Sequence, residues 1–189
     1  MLRSRLACAL MFVAALAATA VAQTAPSAVF PATTAYTLSK VKVTLPADLR
    51  SDANLLLLYF RADQQPDVEA WVAVIDGWRN ANPALGTYTS LVSPRMNILS
   101  RWWQNASLRS AFPDSRRWPV TLPLYVDRSA FLHALAIDSD KQVVLLVTDR
   151  QGRVVAHATG TATQQNRTAI HNALPAPGVA PGIRSQPRP

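Results

Sequence analysis

A thiol at Cys8, imidazoles at His133, His157 and His171, and the neighbouring carboxylates Asp138 and Asp140 are the side chains best suited to redox, metal or acid–base chemistry. Their spacing withdraws most of that promise. The histidines lie far apart with no further ligand at metal spacing, and a single cysteine and a single glutamate, Glu69, leave few partners for zinc. Asp138 and Asp140 flank Ser139 beside Lys141 and read as a solvated loop rather than an acid–base pair. Gly-Xaa-Ser-Xaa-Gly, phosphate-loop and dinucleotide patterns are missing, so hydrolase, nucleotide and dehydrogenase chemistries lose their usual signatures. No metal, cofactor or catalytic residue is expected. A cysteine-free site assembled from distant residues is left open.

The one thiol is not expected to survive maturation. Arg3 and Arg5 form a short positive segment, Leu6 to Ala18 is an apolar or small-residue run, and Ala20-Val21-Ala22 suits a signal peptidase. The run, about 13 residues, falls short of the roughly 20 needed to cross a bilayer, which makes a retained anchor the weaker alternative. Cys8 precedes the apolar run, whereas a lipidated cysteine would follow it. Residues 1–22 are therefore expected to be a cleaved signal peptide, with the protein periplasmic or secreted and no membrane span in the mature chain. Export favours disulfides, yet a chain starting at Gln23 can form none within itself and must rely on its apolar core.

Charge offers a second possibility. Removing Arg3 and Arg5 from the 19 basic side chains leaves 17 against 11 acidic ones, a net charge of +6, and only Lys40, Lys42 and Lys141 are lysines. From Arg95 to Arg128, six arginines (95, 101, 109, 116, 117 and 128) face Asp114 and Asp127, with Trp102, Trp103 and Trp118 interleaved. Arginine with tryptophan suits an interface or an anion site. The simpler reading is a solvated helix face whose tryptophans fill the core. Nucleic-acid binding would need a denser basic stripe and is not expected.

These residues must be held by a scaffold that the hydrophobic pattern outlines. Tyr36 to Leu45 alternates as an edge strand, whereas Leu55 to Phe60 is apolar without alternation, as in a strand buried on both faces. Pro66 opens a helix in which Val68, Trp71, Val72, Ile75 and Trp78 share a face, and Asn82-Pro83 ends it. A second helix is expected over 96–111, with Leu99, Trp102, Trp103 and Leu108 as apolar contacts, followed by a strand over 121–126 and a short helix over 129–137. Val143 to Val147 is a further buried strand, joined through Asp149-Arg150-Gln151-Gly152 to a returning strand at 153–158, and a helix over 163–174 closes the unit. The order is edge strand, strand, helix, strand, helix, strand, short helix, hairpin, helix, which implies an α/β sandwich with a partly parallel sheet. Residues 23–35 read as a flexible leader, 36–174 as the domain, and 175–189 as a disordered Pro-rich tail.

Two segments resemble the thioredoxin-like superfamily, particularly its peroxiredoxin-like branch. There, an apolar strand runs into a helix bearing Cys-Pro-Xaa-Cys; here Leu55 to Phe60 runs into Arg61-Ala62-Asp63-Gln64-Gln65-Pro66-Asp67-Val68. Aligning Pro66 with the motif's proline puts Gln65 and Val68 at the cysteine positions. Val143 to Gly160 is similar to the family's C-terminal hairpin. Leu45-Pro46-Ala47-Asp48-Leu49, the Trp71 helix and the Arg/Trp-rich second helix resemble cysteine-poor proteins related to the mitochondrial ATP synthase assembly factor. The resemblance implies a thioredoxin-like α/β/α sandwich with a mixed central sheet and a C-terminal β-hairpin plus helix.

It also implies what is lost. The family's cis-proline precedes the strand leading into the hairpin, and residues 138–142 contain no proline. With neither cysteines nor proline, thiol–disulfide exchange and cysteine peroxidase activity are not expected. The expected function is a non-catalytic accessory or assembly factor that binds another protein. Its candidate contacts are Gln64, Gln65 and Pro66 on the vestigial loop, and Arg95, Arg101 and Trp102 on the second helix. The alternative is a small-molecule or anion-binding module built on the Arg/Trp-rich helix face.

Overall fold

The computed structural model describes residues 28–176, so the signal segment with Cys8, residues 23–27 of the leader and the tail beyond 176 lie outside the described residues. In chain order the elements are β1 (Thr33–Tyr36), β2 (Lys42–Leu45), β3 (Asn54–Tyr59), α1 (Gln65–Ala81), β4 (Gly86–Pro94), α2 (Ile98–Ala111), β5 (Leu124–Val126), α3 (Arg128–Ala134), β6 (Val144–Thr148), β7 (Val154–Thr159) and α4 (Gln164–Asn172). Five strands form a mixed sheet in the order β5-β4-β3-β6-β7. Strands β3, β4 and β5 run parallel, and β6 and β7 return antiparallel to close the hairpin.

Every residue of β3 is buried, because its two neighbours occupy both edges and both faces are covered. Leu55, Leu57 and Tyr59 join α1, Leu108 of α2 and Ile170 of α4 on one face. Leu56, Leu58 and Phe60 meet the β1–β2 hairpin and α3 on the other. This two-sided burial is why the run lacks alternation. Helix α1 packs through Val68, Trp71 and Ile75, and the Trp71 indole N–H donates to the Gly160 carbonyl at 2.8 Å, tying the helix to the end of β7. Among the described residues no helix is long and apolar enough to cross a membrane.

Some expectations need correction. Residues 28–35 are part of the fold: Phe30 is 1% exposed, stacks edge-on against Phe131 at 5.5 Å, and its N–H donates to the Gly152 carbonyl. One aromatic anchor and a few backbone bonds suffice there, and neither produces periodicity. The expected 36–45 strand is instead the β1–β2 hairpin, turned where Lys40 takes a φ of 65°. The strand between the first two helices is β4, and the expected 121–126 strand shortens to β5, with Thr121 making only an isolated bridge to Thr89.

Candidate functional site

The carboxyl ends of β3 and β4, beside the start of α1, form the place where a sheet of this kind presents its chemistry. Gln64 stands there in a 3₁₀ turn and is 5% exposed. Its Oε1 accepts from the Phe60 N–H at 2.8 Å, and its Nε2 donates to the Asp140 carbonyl at 2.9 Å. Its amide thus fastens the 138–142 loop to the end of the central strand. Gln64 is a clamp inside the protein rather than the contact residue expected from the sequence. Of the two residues that the sequence resemblance set at the cysteine positions, Val68 is fully buried in the core, and half-buried Gln65 donates to Glu69 at 3.3 Å. Pro66 is exposed in the first turn of α1.

Arg128, at the start of α3, completes the closure. Its guanidinium donates to Asp140 Oδ2 at 2.9 Å and to the carbonyls of Phe60 and Val92 at 3.2 and 3.3 Å, capping the ends of β3 and β4. The side chain is only 26% exposed, and its buried Nε has no partner among the described residues. Asp140 is therefore engaged, which corrects its reading as a solvated loop residue, while Asp138 remains exposed. Below them, the buried Tyr59 hydroxyl also lacks a partner among the described residues, and burial, with a smaller effect from Tyr125, pushes its pKa far up. A neutral phenol and an engaged arginine occupy this end of the sheet. The sequence placed Arg128 in the arginine cluster but missed this role, because its partners lie 12, 36 and 68 residues away.

The second feature is α2. Asn97 caps it by accepting from the Ser100 N–H at 2.8 Å, and the helix is then held to the sheet along one side. Gln104 donates to the Ser93 hydroxyl at 2.8 Å, Asn105 accepts from the Tyr125 hydroxyl at 2.8 Å, and Leu108 is buried. At about 100° per residue, Ile98, Leu99, Trp102 and Trp103 fall on the opposite side from Gln104 and Leu108. They are 85%, 66%, 59% and 63% exposed. The two indoles meet edge-on at 5.3 Å, giving a firm apolar ridge. Leu99, Trp102 and Trp103 were expected to pack into the core; the polar anchors at Gln104 and Asn105 instead turn that face outward.

Arg95 and Arg101 are exposed beside this ridge, and the Arg101 guanidinium sits 5.1 Å from the Tyr125 ring centre while its Nε donates to the Met96 carbonyl. The other arginines of the 95–128 interval are committed elsewhere. Arg109 donates to the Leu38 carbonyl, Arg116 pairs with Asp114, Arg117 with Asp76 and Arg128 with Asp140. Arg116 and Arg117 share a cleft with Arg79, where each is paired with a carboxylate, and the four do not gather on the outer face of α2. The exposed histidines stand on α3, β7 and α4, and no group of three or more metal-ligating side chains gathers among the described residues.

No protein-family model matches the chain, and no curated protein matches its sequence. Solved structures do match. The thioredoxin domain of a thiol-disulfide oxidoreductase from Bacteroides vulgatus is 14% identical with a TM-score of 0.51, covering 78% of this chain and 96% of that one. A member of the Sco family of cytochrome c oxidase assembly proteins is 12% identical with a TM-score of 0.52, covering 79% and 93%. Yeast Sco1 with copper bound is 12% identical with a TM-score of 0.51, covering 78% and 89%. Identities this low speak to architecture alone. The mixed five-stranded sheet, its flanking helices and these neighbours together make this a thioredoxin-like fold.

Proposed function

We propose that this protein is an exported, non-catalytic thioredoxin-like factor that binds another protein through the outer face of α2, as an accessory or assembly factor. The observation that carries it is the ridge of Ile98, Leu99, Trp102 and Trp103, four large apolar side chains exposed side by side on one helix. Monomeric proteins seldom leave such a ridge uncovered, and tryptophan with flanking arginine is the composition of an interface centre. The partner would offer an apolar hollow for the two indoles and carboxylates for Arg95 and Arg101.

The fold neighbours include a thiol-disulfide oxidoreductase, whereas this chain, with Pro66 set on the motif's proline, carries Gln65 and Val68 where the cysteines would stand. Insulin-reduction and peroxide-consumption assays on the mature chain are expected to be blank. One neighbour is named for assembly of cytochrome c oxidase, and the sequence resemblance to proteins related to the ATP synthase assembly factor favours a similar kind of role. Export rests on the N-terminal signal pattern and is tested by sequencing the amino terminus of the secreted form, which should begin at Gln23.

The deciding experiment places a photocrosslinker at residue 99 and, as a control, at Arg167 on α4. A single partner captured from position 99 only, and lost in a W102A/W103A chain with unchanged circular dichroism, supports the proposal. No capture from position 99 counts against it, and so does a concentration-dependent dimer abolished by the same double variant, since the ridge would then join two copies of this chain.

A further inference from the structure

Strand β4 is paired with β3 along Gly86 to Leu91, but β5 reaches only Val92 to Pro94 on its other side. One bridge, Thr89 with Thr121, extends that contact, with the Leu122 N–H donating to the Thr89 carbonyl at 2.9 Å. Before it, the outer edge from Gly86 to Tyr88 has no strand neighbour among the described residues. Backbone groups alternate sides along a strand, so Thr87, two residues before Thr89, also turns its N–H and carbonyl outward.

Two clefts meet at this edge. One, about 280 Å³, lies on the α1 side and is lined by Asp76, Arg79, Thr87, Thr89 and Arg117. The other, about 340 Å³, lies against β2 and the loop after it and is lined by Lys42, Asp48, Arg50, Tyr88 and Pro119. They share Arg79, Thr87, Tyr88 and Val120. The carboxylates of the clefts are already engaged: Asp48 accepts from the Thr44 N–H at 2.6 Å, Asp76 pairs with Arg117, and Asp114 with Arg116. The exposed side chains of Lys42, Arg50 and Arg79 take no hydrogen bond or ion pair among the described residues.

We propose that the free edge of β4 receives an extended, acidic segment of another polypeptide, added as a further strand with alternate side chains in the two clefts and its carboxylates on Lys42, Arg50 and Arg79. Strand addition needs outward main-chain groups and pockets on either face of the sheet, and this edge has both. A compact anion would use only one cleft and leave the Thr87 groups unused. The chain's own residues 177–189 carry Arg184 and Arg188 and no acidic side chain, so they have the wrong charge for this place. The site is separate from the α2 ridge and does not depend on it.

A fluorescein-labelled peptide alternating Glu and Val, read by fluorescence anisotropy at physiological ionic strength, tests the proposal, with the Lys–Val peptide as its opposite. The Glu–Val peptide should bind, the Lys–Val peptide should not, and R79E should weaken binding about tenfold, since it removes one attraction and adds a repulsion. R167E, an equal charge change on exposed α4, should alter it less than about twofold. The Thr87 amide should shift and gain protection from exchange in the complex. Equal losses from R79E and R167E, or an unmoved Thr87 amide, would overturn the proposal, and displacement by millimolar inorganic phosphate at constant ionic strength would replace the strand with a small anion.

Discussion

Replacing Gln64 by Ala removes both bonds that fasten the 138–142 loop to the central strand. The Phe60 N–H is buried at the end of β3, and without Oε1 it has no replacement acceptor, a loss of about 1–3 kcal/mol. The Asp140 carbonyl is less enclosed and can turn to water, so losing its donor costs about 0.5–1 kcal/mol. Q64A should therefore be destabilised by about 2–3 kcal/mol, lowering the melting temperature of a domain this size by roughly 5–10 °C. Q64E keeps the acceptor for Phe60 but cannot donate to Asp140 when ionised, and places a carboxylate near a second one, so it should also be destabilised. Q65A, at the neighbouring half-buried position, should stay within about 0.5 kcal/mol of the parent. Urea unfolding of the three variants gives the energies, and hydrogen exchange at the Phe60 amide gives the location. If Q64A matched Q65A in urea, or if Phe60 exchanged no faster, the clamp would be an incidental contact that does not hold the 138–142 loop.

Two further predictions concern the β6–β7 turn. Partial burial pushes the Asp149 carboxyl up, but the Arg153 backbone N–H, the Arg153 guanidinium and the Gln151 N–H outweigh it and hold the carboxyl below the usual carboxylate range. A depressed folded value stabilises above the unfolded value near 3.9, and that contribution disappears as pH falls through the folded value. D149N should cost about 1 kcal/mol at pH 7 and progressively less below about pH 4 in urea unfolding; an equal cost at neutral and strongly acidic pH would exclude the ionised carboxylate as the cause. Gly152 takes a φ of 79°, and an added Cβ would run into Pro46. G152A should lose about 2 kcal/mol in thermal unfolding, and a melting temperature equal to the parent's would show that the turn relaxes freely.

The parts of the fold legible in the sequence are those where one local signal decides. The apolar runs of β3 and β6 announce burial on two faces, Pro66 with the spacing to Trp71 and Ile75 marks α1, and Asp149 with Gly152 marks the hairpin turn. What escaped depends on distant partners. The first half of β4 is only half-buried, so its composition carries little strand signal, and its register comes from β3, some thirty residues earlier. Gln64 read as a contact for a partner because the carbonyl that engages it lies 76 residues away. In α2 the apolar stripe was visible, but its direction was set by Gln104 and Asn105, whose bonds to Ser93 and Tyr125 no periodicity reports.

The bonds that Gln64 and Arg128 make at Asp140, Phe60 and Val92 also bear on ancestry. If a thiol-bearing forebear gave rise to this chain, the steps were not equally reversible. Returning cysteines to positions 65 and 68 would meet a loop still tied down at Asp140, and releasing the loop first would sacrifice stability before any redox activity returned to compensate. A path to thiol chemistry would therefore pass through less stable intermediates with no activity to select for.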